Sequence, residues 1–424
     1  MMRTEEETKA YLQMLHVAQF GDNASGQAGK RDFPSVFASA PGRVELAGNH
    51  TDHQGGRTIS AAIDQRTYAL ASLNDTDEIR VYMGSFVKCS VHLSDLEARM
   101  DERGDPISII RGMAAAYVQS GKRLCGFDIV TCSDIPVGAG LSSSAAFEVL
   151  IGTAIRALCS PSASGIPDDS TTLALEGVWV ENNYFGKLCG AQDQLASVFG
   201  GVIAMDFSSD EPLVTPIDFD AGACPYALFL IDSQYDHSHL AEEYAAIPID
   251  MKAVAQYFGC TRLKDVPYRV FLRQLSQVRA KLGDRAVLRA LHFFEETKRV
   301  RAQTEALLAG NYEAFIKKVR LSGASSAQFL QNVSPLIDES GISQPAMVIL
   351  ALCAHLLDSD SSKDRGRFSG AYRIHGGGFG GSVLAFVPKK ESDFFKASMD
   401  ALLGYDACMH VSMGSRGAHA ERLD

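Results

Sequence analysis

Apolar positions along this chain gather into clusters of short β-like runs, separated by longer stretches with helical period. The first twenty residues, MMRTEEETKAYLQMLHVAQF, carry an acidic, amphipathic helical pattern. A loose glycine-containing segment, Gly21–Asp32, reads as a loop. From Ser35, SVFASAPGRVELAG opens as a strand that is expected to break at Pro41–Gly42. TYALASLNDTDEIRVYMG and KCSVHLSDLE continue in alternating runs, which predict a hairpin-rich sheet. A strand over Gly126–Pro136 leads into VGAGLSSSAAFEVLIGTAIRALC, a glycine–serine turn that opens a helix. A Ser/Pro/Asp linker, Ser160–Thr171, precedes a helix over Leu173–Tyr184, and Gly200–Phe207 reads as a strand. After a strand at Tyr226–Asp232 the pattern is mostly helical from Leu240 to Leu357. The loop DSDSSKDRG and a strand pair around GAYRIHGGGFGGSVLAFVP follow. Strands that cluster, and do not alternate one by one with helices, predict an α+β fold.

Length adds a second domain to this picture. At 424 residues the chain exceeds one ordinary core, and a division into 1–210 and 211–424 is expected. Apolar content of 46% and charged content of 21% describe a globular protein. A net charge of −11 argues against a nucleic-acid partner, since neutralising phosphates needs a basic surface. It leaves room for a nucleotide, which backbone amides and a magnesium ion can hold. Nine scattered cysteines without a C-x-x-C pair fit neither a zinc framework nor a disulfide scaffold. The acidic N-terminus is unlike a secretory signal, and the apolar run Ala346–Leu357 is too short for a bilayer. The expectation is a soluble, cytoplasmic protein that engages small molecules, with neither membrane nor nucleic acid as partner.

Four stretches carry candidate chemistry. In IPVGAGLSSSAAFEVL, Gly138 and Gly140 form a tight turn and three serines open a helix. Unpaired N–H groups, the positive dipole end and hydroxyls concentrate there as an anion cradle, without the lysine of a Walker A loop. In RIHGGGFGGSVLAFV a G-x-G-x-x-G spacing is followed by a β-like run, so the dinucleotide context fails; a glycine hairpin and a close backbone approach are both compatible. In VENNYFGKLCGAQDQLASVFGG, Glu181 lies on a helix, and Asp193 and Gln194 open another. The fourth, APGRVELAGNHTDHQGG, matches no zinc spacing; its Asn, His and Asp groups suit a polyol, whose hydroxyls need donors and acceptors.

Taken in order, these stretches resemble the GHMP kinase superfamily and, within it, the galactokinases. Gly42–Gly56 follows the sugar signature G-R-V-N-L-I-G-E-H-T-D-Y-N-G-G, Pro136–Ala145 the phosphate-loop signature P-x-G-x-G-L-S-S-S-A, Cys189–Gln194 the element C-G-x-x-D-Q, and Gly376–Gly381 the element G-G-G-F-G-G. The resemblance implies a two-domain fold with an N-terminal mixed sheet, a ferredoxin-like C-terminal domain and a cleft between them. It implies a kinase that uses ATP and Mg2+ to phosphorylate the C1 hydroxyl of galactose.

Carried over residue by residue, Asp193 would be the catalytic carboxylate with Arg43 beside it. Pro136, Gly138, Gly140, Leu141, Ser142, Ser143 and Ser144 would wrap the triphosphate, and Ser144 and Glu181 would hold magnesium. Asn49, His50, Asp52, Gly190 and Tyr244 would join Arg43 and Asp193 around the sugar, although the Arg-Arg that follows the family's tyrosine is absent here. Gly376, Gly377, Gly378, Gly380 and Gly381 would support the phosphate loop. Among the departures from the sugar signature, Glu45 for Asn, Asn49 for Glu and His53 for Tyr alter one neighbourhood. Loss of a carboxylate at Asn49 is expected to ease the approach of a sugar acid. Galacturonate, N-acetylgalactosamine or arabinose therefore stand as alternative substrates, and a non-catalytic sugar and ATP sensor as the alternative of another class.

Overall fold

The computed structural model describes residues 3–21, 35–84, 88–136, 138–159, 170–187, 189–235, 240–335, 343–358 and 370–423. Most of the residues read as loops at Gly21–Asp32, at Ser160–Thr171 and in DSDSSKDRG lie outside the described residues. In chain order the elements are α1 (Glu5–Phe20), β1 (Ser35–Ala47), β2 (Arg57–Leu73), β3 (Glu78–Tyr82), β4 (Lys88–His92), α2 (Pro106–Gln119) and β5 (Phe127–Ser133). Then come α3 (Ser143–Cys159), α4 (Ser170–Val180), α5 (Gln192–Phe199), β6 (Val202–Asp206), β7 (Leu213–Ile217) and β8 (Tyr226–Asp232). The helical stretch comprises α6 (Ala241–Tyr257), α7 (Tyr268–Arg273), α8 (Leu275–Leu308, broken at Gly283), α9 (Tyr312–Ser325) and α10 (Pro345–Asp358). It is followed by β9 (Ala371–Ile374), β10 (Ser382–Pro388), α11 (Ser392–Leu403), β11 (Cys408–Val411) and β12 (His419–Leu423).

Two sheets organise these elements in an α+β arrangement. The larger runs β12-β1-β2-β5-β3-β4, with β6 and β7 continuing from β2; β3 and β5 are parallel and the other pairs antiparallel. Apolar faces of α2, α3, α4 and α5 seal one side around Ile110, Val149, Ile151 and Leu195, while Leu12 of α1 meets Phe37 and Leu70 on the other. The smaller sheet, β11-β8-β10-β9, is antiparallel and has the ferredoxin-like order, with α10 and α11 packed on it. A shared core of Val44, Leu46, Ile59, Leu230, Leu384, Phe315 and Val319 joins the two sheets. The larger sheet takes β7 and β12 from the half of the chain beyond residue 210. No helix among the described residues is long and apolar enough to cross a membrane.

Two local departures from the sequence reading shape the cleft. The break expected at Pro41–Gly42 is instead a bulge within β1: the register against β2 shifts between Pro41 and Arg43. A Cβ on Gly42 would stand 3.0 Å from the Leu141 carbonyl, and Arg43 N donates to that carbonyl at 3.2 Å. Glycine thus lets the strand pass against the phosphate loop without ending. The helix expected over Leu173–Tyr184 is regular only to Val180, and Glu181–Phe185 form a wider π turn closed by Gly186 at φ 87°.

The C-terminal segment is tied down by one buried side chain. Arg66 of β2 donates to the Arg416 carbonyl at 2.6 Å, the Gly417 carbonyl at 3.1 Å, Ser415 Oγ at 3.1 Å and Ser39 Oγ at 2.6 Å. Arg66→Ala strips four hydrogen bonds from a buried interior, leaving the Arg416 carbonyl without this donor. It is expected to destabilise the protein by about 2–4 kcal/mol, read as a lowered Tm in thermal denaturation.

Candidate active site

The site forms where the start of α3, the start of α5, the turn after β1 and the loop between β9 and β10 converge. The anion cradle has the geometry that its sequence implies. Gly138 and Gly140 take φ of 83° and 75°, and Ser142 follows with φ 57°. These left-handed residues turn the chain so that Ser143 begins α3 with its N–H groups at the loop. Pro136 is exposed, Leu141 buried, and Ser142, Ser143 and Ser144 half-buried at the helix start.

Arg43 and Asp193 form a fork at the centre. Arg43 Nε donates to Asp193 Oδ1 and Nη2 to Oδ2, both at 2.7 Å, while Nη1 donates to the Gly140 carbonyl at 2.7 Å. The Ser142 hydroxyl donates to Asp193 Oδ2. Burial raises the Asp193 pKa, but the Arg43 charge and hydrogen bonds, with Ser142 and Lys187, outweigh it and hold the carboxyl below its ordinary range. The arginine side chain is 7% exposed and the aspartate 26%, so the carboxylate faces the cleft and the guanidinium supports it.

Beside this pair lies the sugar-signature turn. A Cβ on Gly190 would fall 1.8 Å from Asp52 Oδ2, which shows how closely the backbone before α5 approaches that carboxyl. Burial, with added repulsion from Asp193, pushes the Asp52 pKa up to about 6. Burial likewise lowers His50 to about 3 and His53 to about 4, so both rings are neutral at pH 7. His50 Nε2 lies 3.0 Å from the Gly377 carbonyl and must be the donor, which fixes its tautomer. Tyr244 sits with its ring 5.1 Å from that of His50 and against Gly377, where a Cβ would meet it at 2.3 Å. Burial and the nearby Asp52 and Asp193 carboxylates raise its phenol well above the ordinary value.

Asn49 is placed differently from the sequence expectation. It is fully buried. Its Nδ2 donates to the Gly376 carbonyl at 2.6 Å and to Glu45 Oε1 at 3.1 Å, and its Oδ1 accepts from Asn332 at 2.8 Å and Ser326 at 3.3 Å. With donors and acceptor committed to protein, its amide braces the turn from behind. The carboxylate missing at 49 reappears four residues earlier as Glu45, which also receives Gln192 at 3.2 Å and pairs with the fully buried Arg373.

The late glycines link both halves of the site. Gly376, Gly378, Gly380 and Gly381 all have positive φ, and a Cβ on Gly378 would meet the Asn332 carbonyl at 2.1 Å. Glu45 N donates to His375 Nε2 at 3.1 Å, leaving Nδ1 as the protonated nitrogen, 3.4 Å from Ser382 Oγ. Ser382 Oγ donates in turn to the Ala139 carbonyl at 3.0 Å, so the loop between β9 and β10 is hydrogen-bonded to the phosphate loop.

At the cleft floor Ser144 Oγ donates to Glu181 Oε1 at 2.9 Å. Gln194 Nε2 bridges Glu181 Oε2 at 3.0 Å and Glu148 Oε2 at 2.8 Å. Burial and the neighbouring Glu181 push Glu148 well above the usual carboxyl range. No group of three or more His, Cys, Asp or Glu able to hold a metal occurs among the described residues. A hydroxyl and a carboxylate, both hard oxygens, suit an ion such as Mg2+ that retains water and phosphate ligands.

Motif reading missed Lys187, Arg373, His375, Gln192 and Asn332. The one available signal was the exchange of Glu and Asn between positions 45 and 49. Nothing near Asn332 marks it, because it arrives from beyond α9.

An anion-cradling helix start, a paired Arg–Asp and a glycine loop between two such sheets define a GHMP-type kinase, and the GHMP kinases N terminal domain matches residues 108–201. The galactokinase galactose-binding signature matches residues 27–73. A galactokinase of Pasteurella multocida is 30% identical over 360 residues, covering 84% of this chain and 86% of that relative. One from Actinobacillus succinogenes is 28% identical over 400 residues, covering 91% and 95%. The chain belongs to the galactokinase family. The crystal structure of Lactococcus lactis galactokinase complexed with galactose shares the fold, with a TM-score of 0.78 at 21% identity, covering 97% of this chain and 99% of that one.

Asn49→Ala would strip four hydrogen bonds from a dry network and leave Glu45 and Asn332 short of partners. It is expected to lower the Tm of the ligand-free protein by several degrees, equivalent to about 2–4 kcal/mol.

Proposed function

We infer that this chain transfers the γ-phosphoryl group of ATP to the anomeric hydroxyl of galactose, giving galactose 1-phosphate and ADP. The observation that carries this is the Arg43–Asp193 fork, set between the phosphate cradle and the Asp52–Gly190 contact, so that a carboxylate faces both ligands at once. Family membership and a galactose-bound relative with the same fold supply the sugar.

Asp193 binds and orients the attacking hydroxyl. Its Oδ2 is occupied by Arg43 and Ser142, whereas Oδ1 has Arg43 alone, leaving an acceptor direction for the hydroxyl proton. Because Arg43 keeps this carboxyl below its usual pKa, it is a weak base before reaction. A loose phosphoryl-transfer transition state needs little nucleophile activation, and the proton passes to Oδ1 as the new O–P bond forms. Arg43 also lies against the Gly140 carbonyl and steadies charge at the loop. The amides and hydroxyls of Gly138, Gly140, Ser142 and Ser143 hold phosphate oxygens, with the Gly376–Gly381 loop keeping that cradle in place through Ser382. His50, as a neutral ring, and ionised Asp52 hold sugar hydroxyls, with Tyr244 walling the pocket. Ser144 and Glu181 would hold Mg2+, which when bound screens triphosphate charge.

The function is tested by ADP release across galactose, galacturonate, N-acetylgalactosamine and arabinose. Turnover with galactose is expected to dominate; turnover with a hexuronate and none with galactose would overturn the substrate, and no ADP with any sugar would favour a sensor. Asp193→Asn should still fold, with a Tm lowered by loss of the ion pair, and lose about 10²–10⁴ in kcat. A kcat near that of the unaltered enzyme would remove Asp193 from the catalytic role.

A pH dependence follows from Asp52. A carboxyl that titrates near 6 is ionised above that pH and protonated below it, so its acceptor capacity falls as pH drops. The kcat/KM for galactose should therefore decline on acidification through about pH 6, and the residual activity of Asp52→Asn should lack that limb. A profile flat from pH 7 to pH 5 would contradict Asp52 as an ionised sugar ligand.

A further inference from the structure

Lys187 is a cation at the cleft floor that the described phosphate loop and the proposed mechanism leave unused. Its Nζ lies 3.3 Å from Glu181 Oε1, the oxygen that also receives Ser144 Oγ at 2.9 Å. The two partners could hardly differ more in freedom: the lysine side chain is 58% exposed and the glutamate 2%. Lys187's root, in contrast, is fixed. Gly186 N and Lys187 N both donate to the Glu181 carbonyl, at 2.9 and 3.0 Å, so the π turn folds back on the residue that began it. A glycine at φ 87° makes that reversal possible. The result is an anchored backbone, a free four-carbon stem and an ammonium with two donors to spare.

The surroundings say what such an ammonium meets next. Arg43 is already committed to Asp193 and to the Gly140 carbonyl. The described residues of the phosphate loop, Pro136 and Gly138–Ser144, include no cationic side chain. A triphosphate entering there adds several negative charges beside Glu181 and Asp193. Lys187 is the side chain on this floor that can rotate to meet them without moving the backbone, since its contact with Glu181 is long and its stem is exposed.

We propose that Lys187 is a nucleotide-binding residue that exchanges partners, neutralising Glu181 in the free enzyme and moving to a phosphate oxygen when ATP enters. This rests on the reading of ATP as phosphoryl donor. The exchange leaves Glu181 open to a divalent cation at the moment the phosphates arrive. Free enzyme therefore holds an internal cation where a metal ion would compete with it, and the nucleotide removes that competitor.

The exchange predicts opposite effects on two ligands when the charge is removed and the stem kept. In Lys187→Met, Mn2+ alone, followed by electron paramagnetic resonance without nucleotide, should bind about 3–10-fold more tightly because its competitor is gone. ATP with Mg2+, titrated by calorimetry without sugar, should bind about tenfold more weakly. Lys187→Arg should restore most of the ATP affinity, because a guanidinium also donates to phosphate. The Tm should stay within a degree or two. Unchanged ATP affinity in Lys187→Met, or Mn2+ and ATP both weakened together, would overturn the proposal. Neither titration needs turnover, so a parent enzyme that releases no ADP with galactose would count against the proposed function, while these two affinities alone decide the role of Lys187.

Discussion

The ion pair between Arg43 and Asp193 is the constraint around which the cleft is arranged. Two charges taken this far from water are tolerated only when each is hydrogen-bonded on several sides. That requirement brings four segments to one point: β1 must bulge at Gly42 to present the arginine, the phosphate loop must turn left-handed to present Ser142 and Gly140, and α5 must carry the aspartate in its first turn. The loop between β9 and β10 then closes on the phosphate loop through Ser382. Catalytic geometry and the packing of the two sheets are thus one problem with one solution. Displacing the guanidinium would expose an unpaired carboxylate at the joint of the fold as well as in the site.

Behind this pair stands a second layer whose composition is particular to this chain. Glu45, Asn49, Arg373, Gln192 and Asn332 form a connected hydrogen-bonded set, in which Arg373 Nη1 and Asn332 Oδ1 are left without a partner. The carboxylate and amide are transposed relative to the family signature, yet they meet four residues apart, Glu45 near the end of β1 and Asn49 in the turn that follows. The neighbourhood therefore keeps its one negative charge, and Arg373 balances it. A change that reads on paper as the loss of a charged sugar contact is, in three dimensions, a rearrangement of the wall behind the pocket.

Motifs with a backbone mechanism were legible in the sequence. Glycine and serine spacing announced the phosphate loop, and positions 193, 181 and 144 came together as the resemblance implied, because each motif is local and its glycines dictate its shape. The strands at Tyr226–Asp232 and around the late glycines were also legible, from continuous apolar runs. β7, β11 and β12 were not: they are short, polar on one face, and acquire their structure from the strands they join. The orientation of Asn49 was equally hidden. Whether an amide faces a ligand or a neighbour depends on Ser326, Asn332 and Gly376, which lie 277 to 327 residues away. Lys187 escaped notice because it lies between motifs, and its meaning comes from a turn that folds back on Glu181.

The pairing of β12 with β1 has a consequence for the life of the chain on the ribosome. Ser35 lies opposite Leu423, so the strand that carries the sugar signature has its outer edge covered only by residues synthesised long after it. Until then an apolar strand edge stands open to other chains, and contacts of this sequence separation form late. A nascent chain that has not yet reached β12 would have every motif of the site already made and still lack this edge strand. β12 thus acts as the latch that hides this border of the sheet.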